Sequence, residues 1–295
     1  MYDKLKPLNN ICQLILAQSV FDLKAIGKNL VQGQHGILTT PAHQDFEFTY
    51  KDSTNWLAIE ETSFWYQHRN RCFSAILDRF KPSGPLFEIG SGNGSVALAL
   101  QSIGLQVIAV EPTVRMAVAS RERGVNYVIC AKIEEIGFCD GALANVGLFD
   151  VLEHIDDDVG LIKRLRELMP SGGHFYCAVP AWKLLWSSED DAAAHCRRYS
   201  LPQLSRIFET AGFRIEYATY FFAPLLLPIL LLRTIPSALR LRTSRTADLS
   251  KKEHTLPKGL MGYFLRVLLE REVQHVRQGK RKWIGASCLL VARAC

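Results

Sequence analysis

The sequence predicts an α/β fold built on a doubly wound, mostly parallel sheet with helices on both faces. Three observations support this. Residues 85–94, PLFEIGSGNG, read as a buried strand that ends in an acid, Glu88, and turns through Gly90, Gly92 and Gly94 into an apolar helix, SVALALQSIG. QVIAVEP at 106–112 is a second buried strand ending in an acid, Glu111, 21 positions after Gly90. Strand-like and helix-like segments then alternate to the C-terminus, the last strand falling near ASCLLVARA, a pattern that matches a parallel sheet with one antiparallel strand.

Composition sets the outer bounds. With 295 residues and 48% hydrophobic content the chain can bury one large core or a core plus a smaller appendage. Its eight cysteines are scattered without a CxxC pair, which points to a reducing, cytoplasmic setting and away from a zinc site, so no metal is expected. The net charge of +6 sits mostly in the last third and does not by itself imply nucleic acid. The N-terminus lacks a cleavage site and reads as a poor signal peptide. The longest apolar run, FFAPLLLPILLL at 221–232, is too short to cross a bilayer and holds two prolines.

Taken in order, residues 1–80 read as an N-terminal helical cap and residues 81–295 as the core. The first 54 residues carry an apolar-periodic stretch (Ile11, Leu14, Ile15, Val20) and then mixed sequence. From about Asn55 the pattern is helical, with Trp56, Ile59, Phe64, Cys72, Ile76 and Leu77 at helical intervals. Pro82-Ser83-Gly84-Pro85 breaks it and the first core strand follows. The glycine loop is GxGxG: a dinucleotide fingerprint needs glycine at position 95, where this chain has Ser95. An acid at the Glu111 position is where such folds hydrogen-bond ribose hydroxyls; the alternative is a solvated strand end. Pro112 suits the first turn of the next helix, which Gly124 closes.

NYVIC forms the third strand, followed by AKIEEIGF at 131–138. ALANVGLF forms the fourth and runs into DVLEHIDDD at 150–158. There His154 is either a general base or a residue that pins the next helix. After the helix DVGLIKRLRELM and the strand HFYCAVPA comes AWKLLWSSEDDAAAHCRRYS, too long for a plain connector. Ligands in this fold class bind beyond the carboxyl ends of the strands, so this loop overhangs the glycine turn. His195, Arg197, Arg198 and Tyr199 are thus acceptor-site candidates, or else members of an ion-pair cluster with Glu189, Asp190 and Asp191. A helix capped by Ser200 and closed by Gly212 leads to FRIEYATYFF. Residues 223–282 are an insertion in which PLLLPILLLR precedes Arg233, Arg240, Arg242, Arg245, Lys251 and Lys252. Apolar beside basic suits a lid over a greasy acceptor, a peripheral membrane contact through 221–252, or a homodimer face.

Glu88-Ile89-Gly90-Ser91-Gly92-Asn93-Gly94 resembles motif I of the class I S-adenosylmethionine-dependent methyltransferases, and LFDVLEHI resembles motif IV of a small-molecule subgroup that includes quinone-biosynthesis enzymes. The resemblance covers roughly 55–222 plus the last strand. It implies a seven-stranded Rossmann-like sheet and S-adenosyl-L-methionine as cofactor, held by the motif I residues and by Glu111 and Pro112. Ile133 and Glu134 would flank adenine, and Phe149, Asp150 and Val151 would pass under the methionine part. FWYQHRNR resembles an aromatic-plus-arginine block that closes over the cofactor, with Arg69 on its carboxylate. HCRRYS with the following AGF resembles a block of uncharacterised bacterial methyltransferases thought to use lipid- or sugar-linked acceptors. The reaction implied is methyl transfer to a small, hydrophobic or lipid/sugar-linked acceptor, with His154, His195 and Tyr199 as catalytic candidates. The rival readings are a dinucleotide-binding oxidoreductase and a non-catalytic membrane-associated protein.

Overall fold

In the computed structural model, residues 22–45, 60, 62–240 and 255–295 are described. The expected helix positions Trp56 and Ile59, the N-terminal periodic stretch and the basic residues Arg242, Arg245, Lys251 and Lys252 lie outside them.

The continuous apolar runs become central strands because both faces of the sheet are covered. β3 (Leu86–Ile89), β4 (Val107–Val110) and β6 (Asn145–Phe149) are buried at every position. Successive side chains alternate between two cores: Phe87, Ile108 and Val110 point into one, and Leu86, Val107 and Ala109 into the other. β5 (Tyr127–Cys130) pairs with β4, and β7 (His174–Pro180) with β6, all parallel. β9 (Ser287–Ala294) runs antiparallel between β7 and β8 (Phe213–Phe221). The seven expected strands therefore form, and the one antiparallel strand is the last, β9.

Two further strands extend the sheet. β1 (Val31–Gln32) and β2 (Leu38–Thr39) form a small hairpin, and β2 runs parallel to β5, with Leu38 opposite Ile129. Among the described residues the order is β1-β2-β5-β4-β3-β6-β7-β9-β8. The N-terminal segment is thus not purely a helical cap. Two-residue strands have no alternation to read, and the hairpin is held by its pairing with β5, by Leu30, Ile37 and Leu38 packing on the cores, and by the bond that Thr39 Oγ1 donates to Cys130 O.

α1 (Phe64–Arg79) begins at Ser63, whose Oγ accepts from the Trp65 N–H at 3.2 Å. α2 (Ser95–Gln101) follows the glycine turn, α3 (Val114–Glu122) follows β4, α4 (Asp158–Glu167) follows β6 and α5 (Leu201–Thr210) precedes β8. Capping accounts for α5: Ser200 and Gln203 form a capping box and Pro202 sits in its first turn. The insertion holds helical turns across Ala223–Ala238, π-helical at Leu230–Thr234, and then α6 (Gly259–Arg277), which packs on α1.

Glu272 fixes the insertion to the core. Wholly buried, it accepts from the N–H groups of Phe222 (2.7 Å) and Ala223 (3.1 Å), from Lys282 Nζ (2.9 Å), and pairs with His68 Nε2 (2.9 Å). A buried carboxylate is tolerated only when its lone pairs are this fully engaged.

Candidate active site

One cavity of about 510 Å³ opens at the carboxyl ends of β3, β4 and β6, where an α/β sheet reverses its strand order. The glycine turn forms its floor. Gly90, Gly92 and Gly94 all have positive φ (72°, 54° and 79°), but for different reasons. A Cβ on Gly90 would lie 2.7 Å from Val151 Cγ2, and one on Gly94 2.4 Å from Ser120 Oγ, so these two are glycine for packing. A Cβ on Gly92 would meet nothing within 4 Å, and Gly92 lines the cavity. Glu111 holds the turn in shape: its Oε2 accepts from the Gly92 N–H at 2.8 Å and its Oε1 from the Thr113 N–H at 2.9 Å. Ser91, Asn93 and Pro112 also line this side; Asn93 Oδ1 accepts from Arg123 at 2.9 Å.

Carboxyl groups dominate the wall. Glu88 is buried, and its Oε2 has no hydrogen-bond partner among the described residues. Burial pushes its carboxyl up to about 8, although Arg69 pulls the other way. Burial also raises Glu111 despite the hydrogen bonds from Thr113 and Gly92. Arg69, nearly buried, donates from Nη1 to Asp150 Oδ2 at 2.9 Å and lies over the Tyr66 ring. Asp150 adopts φ 56°, a left-handed conformation that turns the chain sharply after Phe149. Phe149, Asp150 and Val151 line the cavity.

The opposite wall comes from the long loop and the insertion. The loop leaves and rejoins the sheet beside itself, because the Trp182 N–H donates to Tyr199 O and the Tyr199 N–H to Pro180 O. Inside it, Ser187 and Asp190 form a capping box. Asp190 also accepts two bonds from Arg198 (2.7 and 3.0 Å) and pairs with His195 Nδ1 at 2.8 Å. Against the upward pull of burial, these bonds hold Asp190 down at about 2. Of the ion-pair cluster suggested by the sequence, Asp190 thus joins His195 and Arg198, whereas Asp191 accepts from Trp186 Nε1 at 3.0 Å. The His195 ring stands edge-on to His154, with centroids 4.8 Å apart, and both line the cavity. Burial, and then the neighbouring His195, lower His154 to about 4, so its imidazole is neutral near pH 7. Phe222, Ile229 and Arg233 close the wall, with Phe222 stacked on Trp65 at 3.9 Å.

Several sequence expectations need correction. Tyr199 is buried in the core away from the cavity; its hydroxyl lies 2.9 Å from Asp158 Oδ2 and 3.2 Å from Leu152 O. It braces the loop base rather than facing a ligand. Arg197 also turns outward, to Asp158 and Asp156. Ile133 and Glu134 do not line the cavity: residues 133–136 form a helical turn whose i, i+3 pair, Ile133 and Ile136, is buried, leaving Glu134 exposed. Trp65, in the FWYQHRNR block, walls the cavity. Glu153 was not singled out in the sequence. It has no exposed surface, yet it lines the cavity, and both carboxyl oxygens lack a partner among the described residues. Its only sequence signal is an acid inside the otherwise apolar DVLEHI.

The sequence pattern of a methyltransferase domain matches residues 64–218. A protein of Mycolicibacterium smegmatis described as a probable S-adenosylmethionine-dependent methyltransferase is 23% identical over 162 residues, 54% of this chain and 62% of that protein. The phosphoethanolamine N-methyltransferase 2 of Haemonchus contortus, solved in complex with S-adenosyl-L-methionine, superposes with a TM-score of 0.52 at 21% identity, over 83% of this chain and 58% of its own. A SAM-dependent methyltransferase from Archaeoglobus fulgidus gives 0.53 at 16% identity, covering 82% of this chain and all of its own. The chain thus spans about three-fifths of the first two relatives' length, and the structural likeness speaks to the fold. The domain match covers more than half of the sequence and includes the glycine turn, Glu111, the DVLEHI segment and the long loop, so the chain belongs to the methyltransferase domain family.

Proposed function

We propose that this chain transfers a methyl group from S-adenosyl-L-methionine to a small-molecule acceptor. The observation that carries the reading is that the glycine-turn wall and the histidine wall of one cavity enclose a shared space, so a donor on one side faces an acceptor on the other. The residues fit the donor. Gly92 leaves an open approach for a ligand, Glu111 keeps lone-pair capacity for ribose hydroxyls, and Arg69 is placed to receive a carboxylate.

When bound, the cofactor supplies an electrophilic sulfonium methyl. The protein's part is alignment and exclusion of water. The Trp65–Phe222 stack and Ile229 give the acceptor side an apolar wall, while neutral His154 and the Asp190-held His195 stand where an acceptor proton would leave. That pairing favours an acceptor that is partly hydrophobic and carries a hydroxyl or amine.

The insertion extends the reading to lipid-linked acceptors. Leu227, Leu231, Leu232, Ile235 and Leu239 are exposed on the same segment whose Ile229 and Arg233 line the cavity, which supports peripheral contact with a membrane or a lipid chain. No helix among the described residues is long and apolar enough to cross a bilayer. Nothing in the cavity favours a dinucleotide. The test is release of S-adenosylhomocysteine on incubation with S-adenosylmethionine and panels of phenolic, amine and lipid-linked acceptors. No product with any panel, despite cofactor binding, would count against the reading.

A further inference from the structure

We propose that Glu153, His154 and His195 form a site for a divalent first-row transition metal on the acceptor wall of the cavity. One ligand atom of each lies within 4.8 Å of the others, close enough to converge on one ion after small rotamer shifts. Glu153 supplies the independent observation: it is fully buried, it lines the cavity, and neither carboxyl oxygen has a partner among the described residues. An orphaned buried carboxyl costs free energy unless something fills its lone pairs. His195 is oriented as a metal-bound imidazole is, since Asp190 takes Nδ1 at 2.8 Å and leaves Nε2 for a ligand. Arg198, doubly bonded to Asp190, fixes that carboxylate in turn.

The backbone reinforces the convergence, because the Cys196 N–H donates to Glu153 O at 2.7 Å and pins the loop over the strand end. A second cluster of the same composition class makes a useful contrast. In His68–Cys72–Glu272 the carboxylate already engages four partners, so it has no capacity for an ion. Two imidazoles and one carboxylate leave coordination positions open to the cavity, and the metal would there bind an acceptor oxygen or amine and ease loss of its proton. This role, though not the site itself, rests on the methyl-transfer reading. The sequence shows no metal signal because residues 153, 154 and 195 have no recognisable ligand spacing.

The test is titration of the full chain with Co²⁺ and with Zn²⁺, read by calorimetry and by the Co²⁺ visible spectrum, with S-adenosylhomocysteine titrated in parallel. One equivalent is expected to bind, with a ligand-field band, and Glu153→Gln and His195→Gln should each weaken it tenfold or more while keeping S-adenosylhomocysteine affinity. His154→Gln serves if either variant fails to fold. No binding at millimolar metal, or binding that the variants leave unchanged, overturns the site. Failure of the wild-type chain to bind S-adenosylhomocysteine would overturn the methyl-transfer reading instead, and the metal titration would stand by itself.

Discussion

Replacing Gly92 by Asp separates the fold from the site. Gly92 has φ 54°, and a side chain there meets nothing within 4 Å, so the folding cost is limited to left-handed strain of about 1 kcal/mol, which Asp tolerates better than most residues. The new carboxylate, however, enters the cavity next to Glu111, which accepts the Gly92 N–H, and occupies the approach a ligand would use. Loss of at least a hundredfold in S-adenosylhomocysteine affinity is expected, about 2.7 kcal/mol. Gly94→Ala should behave in the opposite way. Its Cβ would sit 2.4 Å from Ser120 Oγ and 2.7 Å from Val125 Cγ2, so overpacking and strain together cost about 3 kcal/mol. Calorimetry with S-adenosylhomocysteine and thermal unfolding on both variants check this. Native affinity in Gly92→Asp, or native stability in Gly94→Ala, would refute the assignment of these two glycines.

Three further outcomes follow from the geometry. Glu88 is raised to about 8 by burial, so the folded state holds a proton that the unfolded chain releases near its ordinary value, and stability falls as pH rises between about 4.5 and 8. Glu88→Gln should remove that slope and stabilise the free protein by about 3 kcal/mol at pH 7 but little at pH 4, measured by denaturant unfolding at both; an unchanged slope would contradict the buried-acid assignment. Tyr199→Phe should lose about 1 kcal/mol from the bond to Asp158 and keep methyl-transfer activity, whereas a collapse of turnover in a folded variant would restore Tyr199 as catalytic. Glu272→Ala should cost about 3–5 kcal/mol, because it leaves Lys282 and the Phe222 N–H without their partner. Proteolysis would be expected to reach the insertion first.

Much of the fold was legible in sequence because buried parallel strands announce themselves as unbroken apolar runs; LFEI, VIAV and NVGLF became β3, β4 and β6 with few changes in bounds. The hairpin at 31–39 escaped because its strands are two residues each and its stability comes from pairing with β5, a long-range contact. The glycine-turn side of the cavity was legible for a related reason: the turn, Glu111 and Asp150 are fixed by backbone geometry at strand ends. The histidine side was not. Glu153 reads as one acid in an apolar motif, and only the fold of the 181–199 loop brings His195 and Asp190 against it. Tyr199 was misread because its neighbours Arg198 and His195 do face the cavity, while alternation at the loop base turns its own ring into the core.

The central claim is that the cavity under the glycine turn binds a methyl donor. Calorimetric titration of the wild-type chain with S-adenosylmethionine, S-adenosylhomocysteine and NAD tests it most directly. One site with micromolar or tighter affinity for the first two, and no heat with NAD, is the predicted result. Binding of NAD with no response to either adenosyl compound would contradict it.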